Sequence, residues 1–333
     1  MPDERFLVVR LGSLGDIVHT FPAVSAIRSS FPSSEIVWLT DKRWKFLVEC
    51  AQLASAVWTV ETRSWRSVRE TIRAIRSSDW SAAVDYQGLW KSALLPFLGR
   101  VRRRIGFDSH SIREAGVPIL YTDRVRATRA HIADQNGELS LRAGASAPVG
   151  PVTLQVPATD SRGPDAALQT LGARPYCVLS PGGGWPAKCW PASRFGELCA
   201  RIRQELDLVC VINYGPGEER LARAVCDSSG GAQPIAWTAT LESLMQLLRN
   251  ARLVVGGDTG PVHLAVALGT RVVGLFGPTE PERNGPYSTR DTALRSPDAR
   301  TSHVRRDETD PSMLALSVES VFAAVKKRLE APE

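Results

Sequence analysis

Three short runs in this chain bring together residue types suited to chemistry on hydroxyls and phosphates. The first is Gly12-Ser13-Leu14-Gly15-Asp16, a glycine turn followed by a carboxylate. A carboxylate so placed has two readings: it caps a helix, or it takes the proton of an attacking hydroxyl as a general base. The second is Ser180-Pro181-Gly182-Gly183-Gly184-Trp185-Pro186-Ala187-Lys188. Its glycines allow close backbone approach to phosphate, and Lys188 offers a point charge to a diphosphate unless it is a solvated loop lysine. The spacing is not GxxxxGK[ST], which argues against a P-loop ATPase. The third run is Gly256-Gly257-Asp258-Thr259-Gly260-Pro261-Val262-His263. Pro261 suits the first turn of a helix, whose free N–H groups and positive dipole end would face a diphosphate. Asp258 either caps that helix or meets sugar hydroxyls. His263 either reaches the same site or is a buried, hydrogen-bonded histidine.

Each run needs a strand-to-helix junction to hold it, and the flanking patterns supply one. Apolar periodicity predicts strands at 5–11, 35–39, 56–60 and 82–85, with helices at 16–30, 64–77 and 89–98. Pro96 is a potential early stop for the last of these. Residues 145–164, rich in Pro, Gly, Ser and Thr, read as a linker. The alternation then restarts, with strands at 176–180, 208–213, 253–255 and 271–276. Helices are expected at 192–205, 218–226, 241–249 and 261–268, with a final helix at 313–329 after the polar stretch 289–310. Such alternation predicts an α/β chain of two Rossmann-like halves with a ligand cleft between them.

The 333 residues are 43% apolar, enough for two cores. The formal charge of +6 lies entirely in residues 1–150, with 21 basic side chains against 15 acidic; residues 151–333 hold 20 of each. Arg66, Arg69, Arg73 and Arg76 recur at helical spacing, Arg63 precedes them, and Arg100, Arg102, Arg103 and Arg104 cluster later. These suit a phosphorylated or carboxylated partner, although any one cluster also reads as a solvated face. No nucleic-acid-binding signature accompanies them, so no nucleic-acid partner is expected. No apolar run is long enough to span a bilayer, the first residues carry no basic leader segment, and the six cysteines show no zinc spacing. A cytoplasmic protein with reduced cysteines is expected. The GxxG of the first loop falls short of the dinucleotide GxGxxG, which leaves an NAD-dependent oxidoreductase as a weak rival.

Four blocks resemble glycosyltransferase family 9, the lipopolysaccharide heptosyltransferases, and heptosyltransferase I above all. They are RLGSLGDIVHTFPA (10–23), AAVDYQGLWKSALL (82–95), SPGGGWPAKCWP (180–191) and GGDTGPVHLAVALGTRVVGLFGPTEP (256–281). The resemblance implies a GT-B fold, with an acceptor-binding domain at 1–155 and a nucleotide-sugar domain at 156–312. The helix in 313–333 would pack back on the first domain. It implies inverting transfer of heptose from ADP-L-glycero-D-manno-heptose to the Kdo/lipid A inner core, with no cofactor and no metal required. It makes Asp16 the base and Lys188 a donor-phosphate contact. Gly183, Gly184, Glu218 (or Glu219), Asp258, Thr259, Gly260 and His263 would surround the donor. Ser13, Arg63, Arg66, Lys91 and Arg104 would meet the acceptor, with peripheral contact at the cytoplasmic face of the inner membrane. A second core heptose or a protein hydroxyl is the alternative acceptor. Gly183 and Gly184 stand where some relatives carry two threonines, which leaves only backbone donors there.

Overall fold

The computed structural model describes residues 4–156, 171–172, 174–238, 240–302, 304 and 307–331. Residues 157–164 of the expected linker lie outside them, as do Met1–Asp3 of the N-terminal segment and parts of the polar 289–310 stretch. The chain divides into two compact units, Met1–Gln155 and Val156–Glu333. Each is built on a six-stranded parallel sheet.

The first sheet contains β1 (Arg5–Val9), β2 (Glu35–Thr40), β3 (Ala56–Thr59), β4 (Ala82–Asp85), β5 (Arg104–Phe107) and β6 (Asp123–Val125). Their spatial order is β3-β2-β1-β4-β5-β6. The second contains β7 (Tyr176–Ser180), β8 (Val209–Asn213), β9 (Ile235–Trp237), β10 (Val254–Gly257), β11 (Val272–Phe276) and β12 (Thr292–Arg295), ordered β12-β11-β10-β7-β8-β9. Counted from its own first strand, each sheet has the doubly wound order 3-2-1-4-5-6. Phe6–Val9 and Ile36–Leu39 are continuously buried, as strands covered on both faces must be. In each unit the chain direction reverses beside the first strand, between β1 and β4 and between β7 and β10. Loops at the carboxyl ends of those strands form the natural binding crevice of such a sheet.

Three of the expected helices depart from expectation. The helix expected over 16–30 is two helices, Leu14–Val18 and Phe21–Ser30. Pro22 lacks the N–H needed to continue the first, and it serves well in the opening turn of the second. The helix Trp90–Leu98 runs through Pro96, because in the last turn a missing N–H removes only one bond. The helix expected over 313–329 is Pro311–Leu314 followed by Val318–Glu330, restarted by Ser317, whose side chain accepts the Ser320 N–H.

That last helix, expected to pack back on the first domain, has a buried face inside the second unit. It lies against the helix Ala192–Leu206 and against β11, inside the second unit. Its Val318, Val321, Phe322 and Val325 form one stripe, which meets Phe195, Leu198, Cys199 and Ile202 in the same core. Trp190 Nε1 donates to the Leu316 carbonyl at 2.9 Å, and Arg194 donates to the Leu314 and Leu316 carbonyls, fixing the approach.

Candidate active site

In the first unit, the loops after β1 and β4 meet beside the reversal point. Leu11 N donates to Gln87 Oε1 at 2.7 Å, and Arg10 donates to the Tyr86 carbonyl. Gly12 lies under Trp44, whose Nε1 would sit 2.9 Å from any added Cβ. Asp16 does not occupy the N-cap position. Ser13 caps the helix, and Asp16 is its third residue, reaching back in a capping box. Its Oδ2 accepts from Ser13 N at 3.1 Å and Ser13 Oγ at 2.9 Å. Its Oδ1 lies 2.8 Å from Arg10 Nη2. The two readings of Asp16 therefore coexist: it caps, yet its side chain stays 47% exposed while Arg10 is 8% exposed. The carboxylate is fixed in orientation and still open to a hydroxyl.

Buried Asp85 braces this edge from below. It accepts from Tyr121 Oη at 2.7 Å, Ser92 Oγ at 2.9 Å, and the N–H groups of Gln87 and Gly88. Burial raises its pKa, and these neutral donors only partly offset the rise. Lys91, exposed at the start of the next helix, comes close enough to act on Asp41. The Asp41 carboxyl is held below its ordinary value chiefly by the Arg43 hydrogen bond, opposed by burial, with Lys91 a weaker contributor.

The expected arginines separate by sheet edge. Helix Trp65–Arg76 returns antiparallel to the strands, so Arg63 and Arg66 lie at the carboxyl edge with Asp16, and Arg73 and Arg76 lie at the far edge. Arg63 is exposed; Arg66 is exposed and pairs with Glu70 at 2.9 Å. Arg104 is corrected as an acceptor contact. It opens β5 at the opposite edge, and its guanidinium donates to the carbonyls of Leu120, Val101 and Arg102. A run of Arg residues does not reveal which one turns inward.

In the second unit, the loops after β7, β8 and β10 converge. Lys188 Nζ lies 2.6 Å from Asp258 Oδ2, and His263 Nε2 lies 3.0 Å from Asp258 Oδ1. The three side chains are 15%, 9% and 5% exposed. Burial alone would push the Asp258 carboxyl up. The His263 hydrogen bond and charge, followed by Lys188, outweigh burial and hold it well below the ordinary carboxylate range. Lys188 also stands 5.2 Å over the Trp185 ring. Asp258 is thus an anchor for Lys188 and His263 rather than a free hydroxyl acceptor. Thr259 is the N-cap of the helix Gly260–Ala267, and its Oγ1 is buried with no hydrogen-bond partner among the described residues. Gly183 sits against Thr259 and Cys189, and a Cβ there would lie 3.1 Å from Cys189 Sγ. Around Gly184 there is open space. Burial, with the Glu218 charge, pushes the Cys189 thiol up to about 11, so it stays protonated.

Glu218 and Glu219 separate cleanly. Glu218 Oε2 accepts from Gly215 N at 2.8 Å and lies against Gly182, where an added Cβ would fall 2.3 Å from its carboxylate oxygens. Glu219 turns back to the Gly217 N–H of its own turn. Arg10, Gln87 and Asp85 went unread as site-forming residues. The available signal for Arg10 was a charge at the carboxyl end of a buried strand, immediately before a glycine loop.

The sequence profile of glycosyltransferase family 9 (heptosyltransferase) matches residues 68–313. The chain is 27% identical over 309 residues to lipopolysaccharide heptosyltransferase 1 of Pseudomonas aeruginosa, covering 88% of this chain and 84% of that protein. The structure of a family 9 glycosyl transferase from Veillonella parvula superposes with a TM-score of 0.83 at 19% identity, over 99% of this chain and 98% of the other. The E. coli heptosyltransferase WaaC with ADP superposes at 0.77 and 23% identity, over 97% and 99%. The two parallel sheets have the GT-B fold of these neighbours. No helix among the described residues is long and apolar enough to cross a membrane. This chain belongs to glycosyltransferase family 9, the heptosyltransferases, and is a glycosyltransferase.

Proposed function

We propose that this enzyme transfers heptose from ADP-L-glycero-D-manno-heptose to the Kdo-lipid A inner core, with inversion at the anomeric carbon. The observation that carries the reading is the convergence, beside the second sheet's reversal point, of Lys188, a glycine loop and a helix N-terminus. Together they offer a fixed cation, backbone N–H groups and the Thr259 hydroxyl, which has no hydrogen-bond partner among the described residues. That set suits the leaving diphosphate of a nucleotide sugar. Glu218, held at the rim of the glycine loop, is the ribose contact in this reading.

Asp16 is the general base. The acceptor oxygen forms its bond to the anomeric carbon as the bond to the ADP oxygen breaks. The acceptor proton passes to Asp16, and the electron pair leaves with ADP, steadied by Lys188. Ser13 and Arg10 hold the carboxylate in place, which limits the reorientation needed during the step. Ser13, Arg63, Arg66 and Lys91 recognise the acidic acceptor, and the exposed basic helix 65–76 allows peripheral contact with an anionic leaflet at the cytoplasmic face of the inner membrane. Kinship with a lipopolysaccharide heptosyltransferase 1 supports this acceptor, and a WaaC structure with ADP supports the nucleotide.

The test is a transfer assay read by mass spectrometry. ADP-heptose is supplied with Kdo-lipid A, with a core already carrying one heptose, or with a protein acceptor. Release of ADP that depends on Kdo-lipid A is expected, and Asp16→Ala should abolish it while still binding ADP. Normal turnover by Asp16→Ala would refute the base assignment. Preference for another acceptor would refute the acceptor.

A further inference from the structure

The second unit carries a dense cationic cavity that donor chemistry does not use. Arg249, Arg252, Arg271, Arg290 and Arg328 line about 290 Å³ together with Ala251, Gly269 and Thr270. The lining includes no carboxylate. It gathers residues that immediately precede β10, β11 and β12, at the amino edge of the sheet. Lys188 and Asp258 lie at the carboxyl edge. Strands of four or five residues keep the two edges about 13–17 Å apart.

Two features distinguish this cavity from a solvated charged surface. Arg328 is 6% exposed, and its Nη1 is buried with no hydrogen-bond partner among the described residues. Its Nε meets Asp291 Oδ1 at 3.3 Å, and Asp291 also accepts the Val272 N–H. Asp291 is thus the carboxylate partner of Arg328 beside the cavity. Like charges lining one cavity repel, most strongly at the buried Arg328, and a bound polyanion removes that cost. Guanidinium forks match phosphoryl oxygens in pairs. The volume falls at the lower bound of small-molecule sites, about 300 Å³, which suits a few phosphoryl groups better than a nucleotide sugar.

We propose that this cavity is a second anion site, binding a phosphoryl-rich ligand of di- or triphosphate size independently of the donor. Its source is either a free polyphosphate or the phosphates of a lipid headgroup. The test is calorimetric titration of sodium tripolyphosphate, at fixed ionic strength, into the full chain, Lys188→Ala, and an Arg252→Ala/Arg290→Ala double variant. Arg252 and Arg290 are exposed, so their loss spares the fold. Arg328→Lys, which keeps the charge but not the fork, is a second probe. The double variant should bind at least about tenfold more weakly, because a hydrogen bond to a charged group contributes about 1.5–3 kcal/mol. Lys188→Ala should bind as wild type does. Absence of binding overturns the proposal, as does binding lost in Lys188→Ala but kept in the double variant. Co-sedimentation with phosphatidylglycerol vesicles, lost in the double variant, would identify the lipid source. Tripolyphosphate binding without such co-sedimentation would identify the free one.

Discussion

Asp258→Asn tests the core of the donor-site reasoning. The substitution keeps the side-chain volume and removes the charge that Lys188 and His263 share. Removing one partner of a buried ion pair costs about 3–5 kcal/mol. Two features reduce that here: asparagine retains one acceptor oxygen, and Lys188 is 15% exposed and so partly rehydrates. About 2–3 kcal/mol is therefore expected. For a unit of this size that lowers its Tm by roughly 4–12 °C. Because the chain has two units, hydrogen exchange of residues 180–190 and 254–268 gives the local reading that a global melt blurs.

The pH dependence is the sharper half. Asp258 is held below its ordinary pKa in the folded state, so the unfolded chain binds its proton first as pH falls. The stabilisation is fully present above the unfolded value of about 3.9 and is lost as pH drops through the folded value. The gap between wild type and Asp258→Asn should stay constant from about pH 8 to 5 and shrink below about pH 4. A gap under about 0.5 kcal/mol, within the ordinary range of surface substitutions, would refute the buried-pair argument. So would a gap that widens in acid.

Asp16→Asn keeps the contact to Ser13 but cannot take a proton; kcat should fall about 10²–10⁴-fold while ADP affinity by calorimetry stays unchanged. Gly182→Ala should displace the flexible end of Glu218 with little effect on Tm, and should weaken ADP binding as much as Glu218→Ala does; the double variant should be no worse than either. Arg104→Met removes donors from three carbonyls and should lower stability by about 1–3 kcal/mol in urea titration without changing acceptor KM, whereas Arg66→Ala should raise acceptor KM and leave the urea midpoint unmoved. Asp85→Asn should hold or gain stability at neutral pH by urea titration, because burial raises this carboxyl and ionising it is unfavourable there.

Glycine loops and apolar runs made both sheets legible, because a buried parallel strand must be continuously apolar and must end where a helix can begin. Ala82–Asp85 and Tyr176–Ser180 match their expected bounds for that reason. The short strands Asp123–Val125 and Thr292–Arg295 carry too few apolar residues to announce themselves. The apolar stripe of the terminal helix indicates that it packs, without indicating against which unit. Arg104 is a related case. Composition counts guanidinium groups, but only the strand edge and the neighbouring carbonyls decide whether one is available.

Three aspartates at the carboxyl edges of these sheets show how surroundings assign the role. Asp85 ends the fourth strand of the first sheet, and Asp258 follows the fourth strand of the second. Both are buried, so desolvation pushes both carboxyls up. Asp85 meets only hydroxyl and amide donors, and the push prevails. Asp258 meets Lys188 and His263, and the push is overcome. Each exchanges its reactivity for position, one bracing a loop and the other aiming a lysine. Asp16 has the third arrangement: an arginine and a serine fix the carboxylate, while nearly half of it remains exposed. Of the three, only Asp16 is both held in place and open to an incoming hydroxyl. That pairing of order and access is what a general base requires, and it supports the role proposed for Asp16.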